Sequence, residues 1–212
     1  MKRPGPLLTL LAGLLLGLFL LTLDATSGTK NTTPTYKPAP TPTATVASPT
    51  PTVSRTPVAD ASYTGRTDDD TSSVAVTIRN GKAIAYFCDG RTKESWLRGG
   101  VGDDGSMRLT GRNGAELDGR LQEGKRIRGT LDIGGGHYAF TAAKAVKPSG
   151  LYRATARVRN AKLDGGWIVL PDGRQVGILD RDGKPGPAPR IDPATGAVTV
   201  DGEQLTARPA TP

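Results

Sequence analysis

From Tyr63 onward the chain is punctuated by turn signals: Asn80-Gly81, Asp89-Gly90, Asp104-Gly105, Asn113-Gly114, Glu123-Gly124, Gly134-Gly135-Gly136, Asp164-Gly165, Asp172-Gly173, Asp182-Gly183 and Asp201-Gly202. Asn-Gly and Asp-Gly supply the positive φ angles that two-residue hairpin turns require. Short segments that alternate apolar with polar residues run between them. Val74, Val76 and Ile78 share a face, and so do Ile84, Tyr86 and Cys88, which the alternation assigns to the inward side. Met107 and Leu109, Leu117 and Leu121, then Ile127, Leu131 and Ile133 continue the pattern. Tyr138, Phe140 and Ala142, then Tyr152, Ala154, Ala156 and Val158, and finally Trp167, Val169, Val176 and Ile178 complete it. A period of two between turns about 8 to 12 residues apart predicts antiparallel β structure. About ten short strands do not stay flat; they curl into a barrel or fold into a sandwich.

The expected fold is therefore all-β: an antiparallel up-and-down meander, barrel-like or sandwich. A barrel-like meander is expected over residues 63 to 145, and residues 150 to 180 either complete it or form a small second sheet. The β-meander domain is expected to span residues 63–180. Residues 181–212 read as a Pro/Gly-rich tail with a final hairpin built on Val198, Val200 and Leu205, and with TARPATP frayed at the end. Trp167 sits in W-I-V-L, a stretch apolar on both faces, which predicts a central strand with the indole buried.

Ahead of this lies a different kind of sequence. Residues 7–23, LLTLLAGLLLGLFLLTL, carry no charge. A spanning helix needs roughly 20 apolar residues and a secretory core about 7 to 15. Lys2 and Arg3 precede the run and Asp24 follows it, which keeps the stub 1–6 in the cytoplasm and exports the remainder. Residues 7–23 thus read as one N-terminal transmembrane helix, a signal-anchor of a single-pass protein with its C-terminal domain outside. The alternative is a secreted protein released by signal cleavage after Ala25. Residues 24–62 hold eleven Thr, seven Pro and four Ser. Proline favours extended polyproline II, and almost no large apolar side chain offsets the entropy of ordering. This is a disordered, proline-rich linker.

Two strings carry a resemblance. A-I-A-Y-F-C-D-G (83–90) followed by E-S-W-L (94–97), and G-L-Y-R-A (150–154) leading to G-W-I-V-L-P-D-G-R-Q-V-G (166–177), resemble a group of uncharacterised exported proteins of actinobacterial type. The resemblance implies an all-β exported domain behind a Thr/Pro-rich segment. The group carries no assigned activity, so it implies no site residue.

The inventory of reactive groups is poor. One cysteine, Cys88, excludes an intramolecular disulfide. A serine triad would need the single histidine, His137, and no G-x-S-x-G stands in the chain; a metal site built on His or Cys lacks ligands. Asp68-Asp69-Asp70 and Asp180-Arg181-Asp182-Gly183 read as solvated acidic loops rather than calcium sites. No catalytic residue, cofactor or metal is expected. The charge is +8, from 28 Lys and Arg against 20 Asp and Glu. Arg153, Arg157 and Arg159 alternate on one predicted strand, with Lys125, Arg126 and Arg128 elsewhere, and form the candidate binding surface. An anionic cell-wall polymer or an envelope protein is the expected partner. Nucleic acid is not, because no aromatic platform accompanies the charges. These features predict a non-catalytic, membrane-tethered extracellular binding or interaction module. The alternative is an envelope hydrolase using a carboxylate pair, for which Asp118 and Asp132 are the candidates.

The topology has a direct check. The chain should fractionate with membranes, and protease added to intact protoplasts should remove the β domain. Recovery of a soluble form alone, beginning near Thr26, would favour signal cleavage.

Overall fold

A computed structural model describes residues 57–212; residues 7–23, expected to form the membrane segment, and the expected linker up to residue 56 lie outside the described residues. Eight antiparallel strands follow one another: β1 (Ala61–Thr67), β2 (Ser73–Arg79), β3 (Lys82–Cys88), β4 (Glu94–Val101), β5 (Ser106–Gly111), β6 (Glu116–Gln122), β7 (Arg126–Ile133) and β8 (Gly136–Lys144). Each pairs with the next and β8 pairs back onto β1, closing a barrel with Tyr63 opposite Lys144 and Thr67 opposite Phe140. Of the two architectures open from sequence, the up-and-down barrel is the one formed. The turns work as their chemistry requires: φ is 50° and 70° at Asn80-Gly81, and 51° and 66° at Glu123-Gly124.

Val74, Val76, Ile78, Phe87, Leu97, Leu109, Leu117, Ile127, Leu131 and Phe140 point into the barrel and are buried there. Eight strands enclose a space that side chains can just fill, and this buried cluster occupies it.

The second half of the chain packs on the outside of the barrel. β9 (Gly150–Val158), β10 (Ala161–Val169), β11 (Gln175–Arg181), β12 (Lys184–Pro187) and the short β15 (Arg208–Pro209) form a sheet in the order β12-β11-β10-β9-β15. A hairpin of β13 (Ala197–Val200) and β14 (Glu203–Thr206) accompanies it. One side of the sheet presents Leu151, Ile168, Leu170 and Ile178 to Ala75, Ile84, Tyr86 and Cys88 on the barrel wall. The other side packs Tyr152, Leu163, Trp167 and Val169 against Ile191, Val198 and Val200. Trp167 lies on the central strand, is 1% exposed, and donates its Nε1 hydrogen to the Pro189 carbonyl at 2.8 Å.

Four sequence expectations are corrected. Ile84, Tyr86 and Cys88 do not face the lumen. Ala83, Ala85 and Phe87 do, and the other three face outward under the second sheet. Every residue from Ala83 to Cys88 is buried, so alternation could not tell the two sides apart. Asp164-Gly165 is not a turn but the middle of β10. The turn between β9 and β10 is Arg159-Asn160, with φ 48° and 69°. The regular pattern does not stop at Asp180: β11 runs through it and pairs with β12, Arg181 lying opposite Lys184. Finally, TARPATP does not fray. Arg208 and Pro209 pair with Arg153 and Tyr152, the Ala210 N–H donates to the Leu151 carbonyl at 2.9 Å, and Ala207 and Ala210 are buried. These small side chains fit where larger ones would hold the strand off.

The glycine at 166 is there for close approach rather than for a turn. A Cβ at Gly166 would lie 2.5 Å from Tyr86 Cζ and 2.7 Å from Trp96 Cζ2. Gly166→Ala should therefore push sheet and barrel apart and cost about 1 to 3 kcal/mol in urea unfolding. Gly186→Ala, where an added Cβ meets nothing within 4 Å, should change stability by no more than about 1 kcal/mol. Trp167→Ala should cost about 3 to 5 kcal/mol; an unchanged melting temperature would contradict its place in the core.

Candidate functional site

The barrel-facing side of the second sheet is apolar along one half and charged along the other. On β9 it runs from Leu151 to Arg153, Thr155 and Arg157. On β10 it runs from Ile168 back through Gly166 to Asp164 and Lys162, and on β11 from Ile178 to Asp180. The apolar half sits on the barrel. Along the charged half a cleft of about 630 Å³ separates the two layers. Its barrel wall is the outward face of β4, where alternation places Glu94, Trp96 and Arg98, continued by Arg112 and Asn113 after β5. Its sheet wall is Arg153, Lys162, Asp164, Asp180 and Asp182.

A chain of contacts joins the walls. Arg153 grips Asp164 with two parallel hydrogen bonds, Nε to Oδ1 at 2.8 Å and Nη2 to Oδ2 at 2.6 Å. The Arg153 guanidinium lies 4.6 Å from the centre of the Trp96 ring, a cation–π contact. Trp96 packs on Tyr86 with ring centroids 4.3 Å apart. The Tyr86 hydroxyl donates to Glu94 Oε2 at 2.5 Å. Every fully buried polar side-chain atom among the described residues has a partner.

Burial raises the Glu94 carboxyl above the ordinary carboxylate range. The Asp164 and Asp180 charges push the same way, against the Tyr86 hydrogen bond and the Arg153 charge. Burial also lifts the Tyr86 phenol well above its usual value, so it remains a donor. The arrangement can hold a polar or charged group between the layers and makes the Glu94 carboxyl give up its proton less readily than a free one.

The residues singled out from sequence separate. Arg153 belongs to the cleft. Arg157 lies on the same side of β9, exposed, opposite Lys162. Arg159 has left the strand for the hairpin turn and neighbours Asp201, whose carboxyl is held low chiefly by Arg181. The three do not make one stripe. Lys125, Arg126 and Arg128 stand at the start of β7, four strands round the barrel from the β3 wall that the sheet covers. Asp118 and Asp132 point outward on neighbouring strands, and each has its own partner: Asp118 pairs with Arg108 of β5 and Asp132 with His137 of β8. Cys88 is fully buried under the second sheet, its thiol pushed up to about 12 by desolvation, while His137 is exposed at the start of β8. No group of three metal-ligating side chains occurs among the described residues.

Sequence reading missed Glu94, Trp96, Arg98, Asp164 and Asp180. The E-x-W-x-R alternation of β4 carried a signal, a strand whose outward face is at once charged and aromatic. No family model, curated protein or solved structure matches the chain.

The raised Glu94 carboxyl fixes the sign of a pH effect. Folded Glu94 keeps its proton at pH values where the unfolded chain has lost it, so the folded state binds more protons. Stability then falls as pH rises from the ordinary carboxylate value through the raised one. Glu94→Gln should flatten the fall in urea stability that sets in as pH rises above the ordinary carboxylate value. An identical slope in the variant would remove Glu94 from the account.

Proposed function

We propose that this protein is a non-catalytic binding module of the cell envelope, tethered to the membrane by residues 7–23, that takes an anionic cell-wall polymer along the seam between barrel and second sheet. The supporting observation is the charge gathered at that seam, half-buried at Glu94, Arg153, Asp164 and Asp180, with arginines on both walls. Guanidinium groups bind phosphate and carboxylate oxygens in forked geometry, and salt screens such contacts where they are exposed. A polymer fits an open cleft better than a closed pocket because it must leave at both ends.

A hydrolase is the second reading, favoured by one observation: Glu94, whose carboxyl burial raises above the ordinary range, shares one cleft with Asp164 and Asp180. Against it, both oxygens of Asp164 are taken by Arg153, and one oxygen of Asp180, Oδ1, accepts the Gly183 N–H at 2.7 Å.

The test is co-sedimentation of the full chain, in neutral detergent, with purified cell walls before and after removal of their anionic polymer. Binding should fall several-fold on stripping and with added salt, and Arg98→Gln should reduce it. Equal binding to stripped walls would refute the reading. Release of soluble glycan fragments by the native chain but not by Glu94→Gln would replace it with the hydrolase.

A further inference from the structure

Arg98 and Arg153 also border a second depression, on the β15 side of the sheet, and its chemistry is different. The depression has a volume of about 330 Å³, and Ile84, Thr155 and Thr211 line it together with three arginines, Arg98, Arg153 and Arg208. No carboxylate lines it.

The three arginines come from three separate strands. Arg98 lies on the outward face of β4, opposite Ile84. Arg153 lies on β9, and Arg208 on β15 directly opposite it in the ladder. Residues directly opposite in an antiparallel pair hold their Cβ atoms about 4.5 to 5.5 Å apart, and like charges placed so are destabilising. Asp164 neutralises Arg153 along one edge of its guanidinium. Arg98 and Arg208 have no carboxylate within ion-pair distance among the described residues. Arg66, Arg108, Arg120, Arg174 and Arg181 each pair with an aspartate; Arg98 and Arg208 do not, and what sets them apart from other unpaired arginines is that they border one depression with Arg153. The fold thus brings two unmatched guanidinium groups beside a half-buried third, with two threonine hydroxyls as additional donors. It does so by docking the last residues of the chain against β9, although extended Pro/Thr-rich sequence has little reason of its own to dock there.

We propose that this depression is an oxyanion site for a phosphate group, held by Arg98, Arg153 and Arg208 with Thr155 and Thr211. Arginine forks and hydroxyl donors match the tetrahedral array of phosphoryl oxygens, and the bound anion relieves the Arg153–Arg208 repulsion. The site deepens the anionic-polymer reading by naming phosphate as the recognised group, and the pocket itself is tested without any polymer.

The experiment is titration of the full chain in neutral detergent with inorganic phosphate against chloride at constant ionic strength, read by phosphorus NMR line broadening and by melting temperature. Saturable binding and a rise in melting temperature are expected. Arg208→Gln and Arg98→Gln should each weaken binding about tenfold or more, while Lys184→Gln, on the far edge strand, should leave it unchanged. Arg208→Gln should also melt no lower than the native chain in chloride, because it removes a like-charge pair; this shows that loss of binding is not loss of fold. Absence of saturable phosphate binding, or equal binding by Arg208→Gln, overturns the proposal whatever the cell-wall experiment gives. Phosphate binding by a chain that sediments equally with stripped walls upholds the pocket and discards the polymer.

Discussion

Ile84, Tyr86 and Cys88 leave the barrel on its outer side, and the sheet that covers them determines the rest of the molecule. β3 is buried on both faces: Ala83, Ala85 and Phe87 in the lumen, the other three beneath β9, β10 and β11. Burying a large apolar side chain contributes about 1.5 to 3 kcal/mol relative to leaving it in water. A barrel without its cover would expose Ile84 and the Tyr86 ring in one patch. A sheet without the barrel would expose Leu151, Ile168, Leu170 and Ile178. Neither half therefore holds its surface alone, and the shared layer binds them into one folding unit.

The same layer explains where charge is tolerated. An ionised group that loses water must find a partner or become neutral. Where sheet and barrel touch, the side chains are apolar. Where they part, Arg153 finds Asp164 and the Trp96 face, and Glu94 finds the Tyr86 hydroxyl. Gly166 lets both aromatic rings come against the β10 backbone at the boundary. The cleft and the arginine pocket are the two openings on either side of Arg153, so a single residue links packing to recognition.

The sequence made the barrel legible because its signals are local. Turn dipeptides and a period of two do not depend on what lies far away, and each hairpin of an up-and-down barrel joins neighbours in sequence. Trp167 was legible for a related reason, since a strand apolar on both faces has to be central. What was not legible depends on long-range contact. Alternation assigns faces only when one face is wet, and β3 has none. Asp164-Gly165 reads as a turn until Trp167 and Tyr86 are known to crowd the two glycines that follow Asp164. The tail looks frayed in sequence because Pro and Thr dominate it, whereas two buried alanines, the β15 pairing and the Ala210 N–H bond to the Leu151 carbonyl hold it in place. Of Arg153, Arg157 and Arg159, only Arg153 lines the cleft. Arg98 and Arg208 stand 110 positions apart in the chain, and nothing local announces that β4 and β15 meet the same side of β9.

Because Cys88 is the only cysteine and lies within the layer shared by barrel and sheet, its reactivity reports directly whether that layer opens. The decisive measurement is thiol labelling of native protein along a urea series, with Trp fluorescence and circular dichroism followed in parallel. The account predicts that Cys88 reacts only through global unfolding, its opening free energy falling with urea along the same slope as the whole domain. Labelling at low urea, with a shallower slope and with barrel signals intact, would mean that the sheet lifts off by itself. It would contradict the claim that one doubly buried strand holds the two halves together.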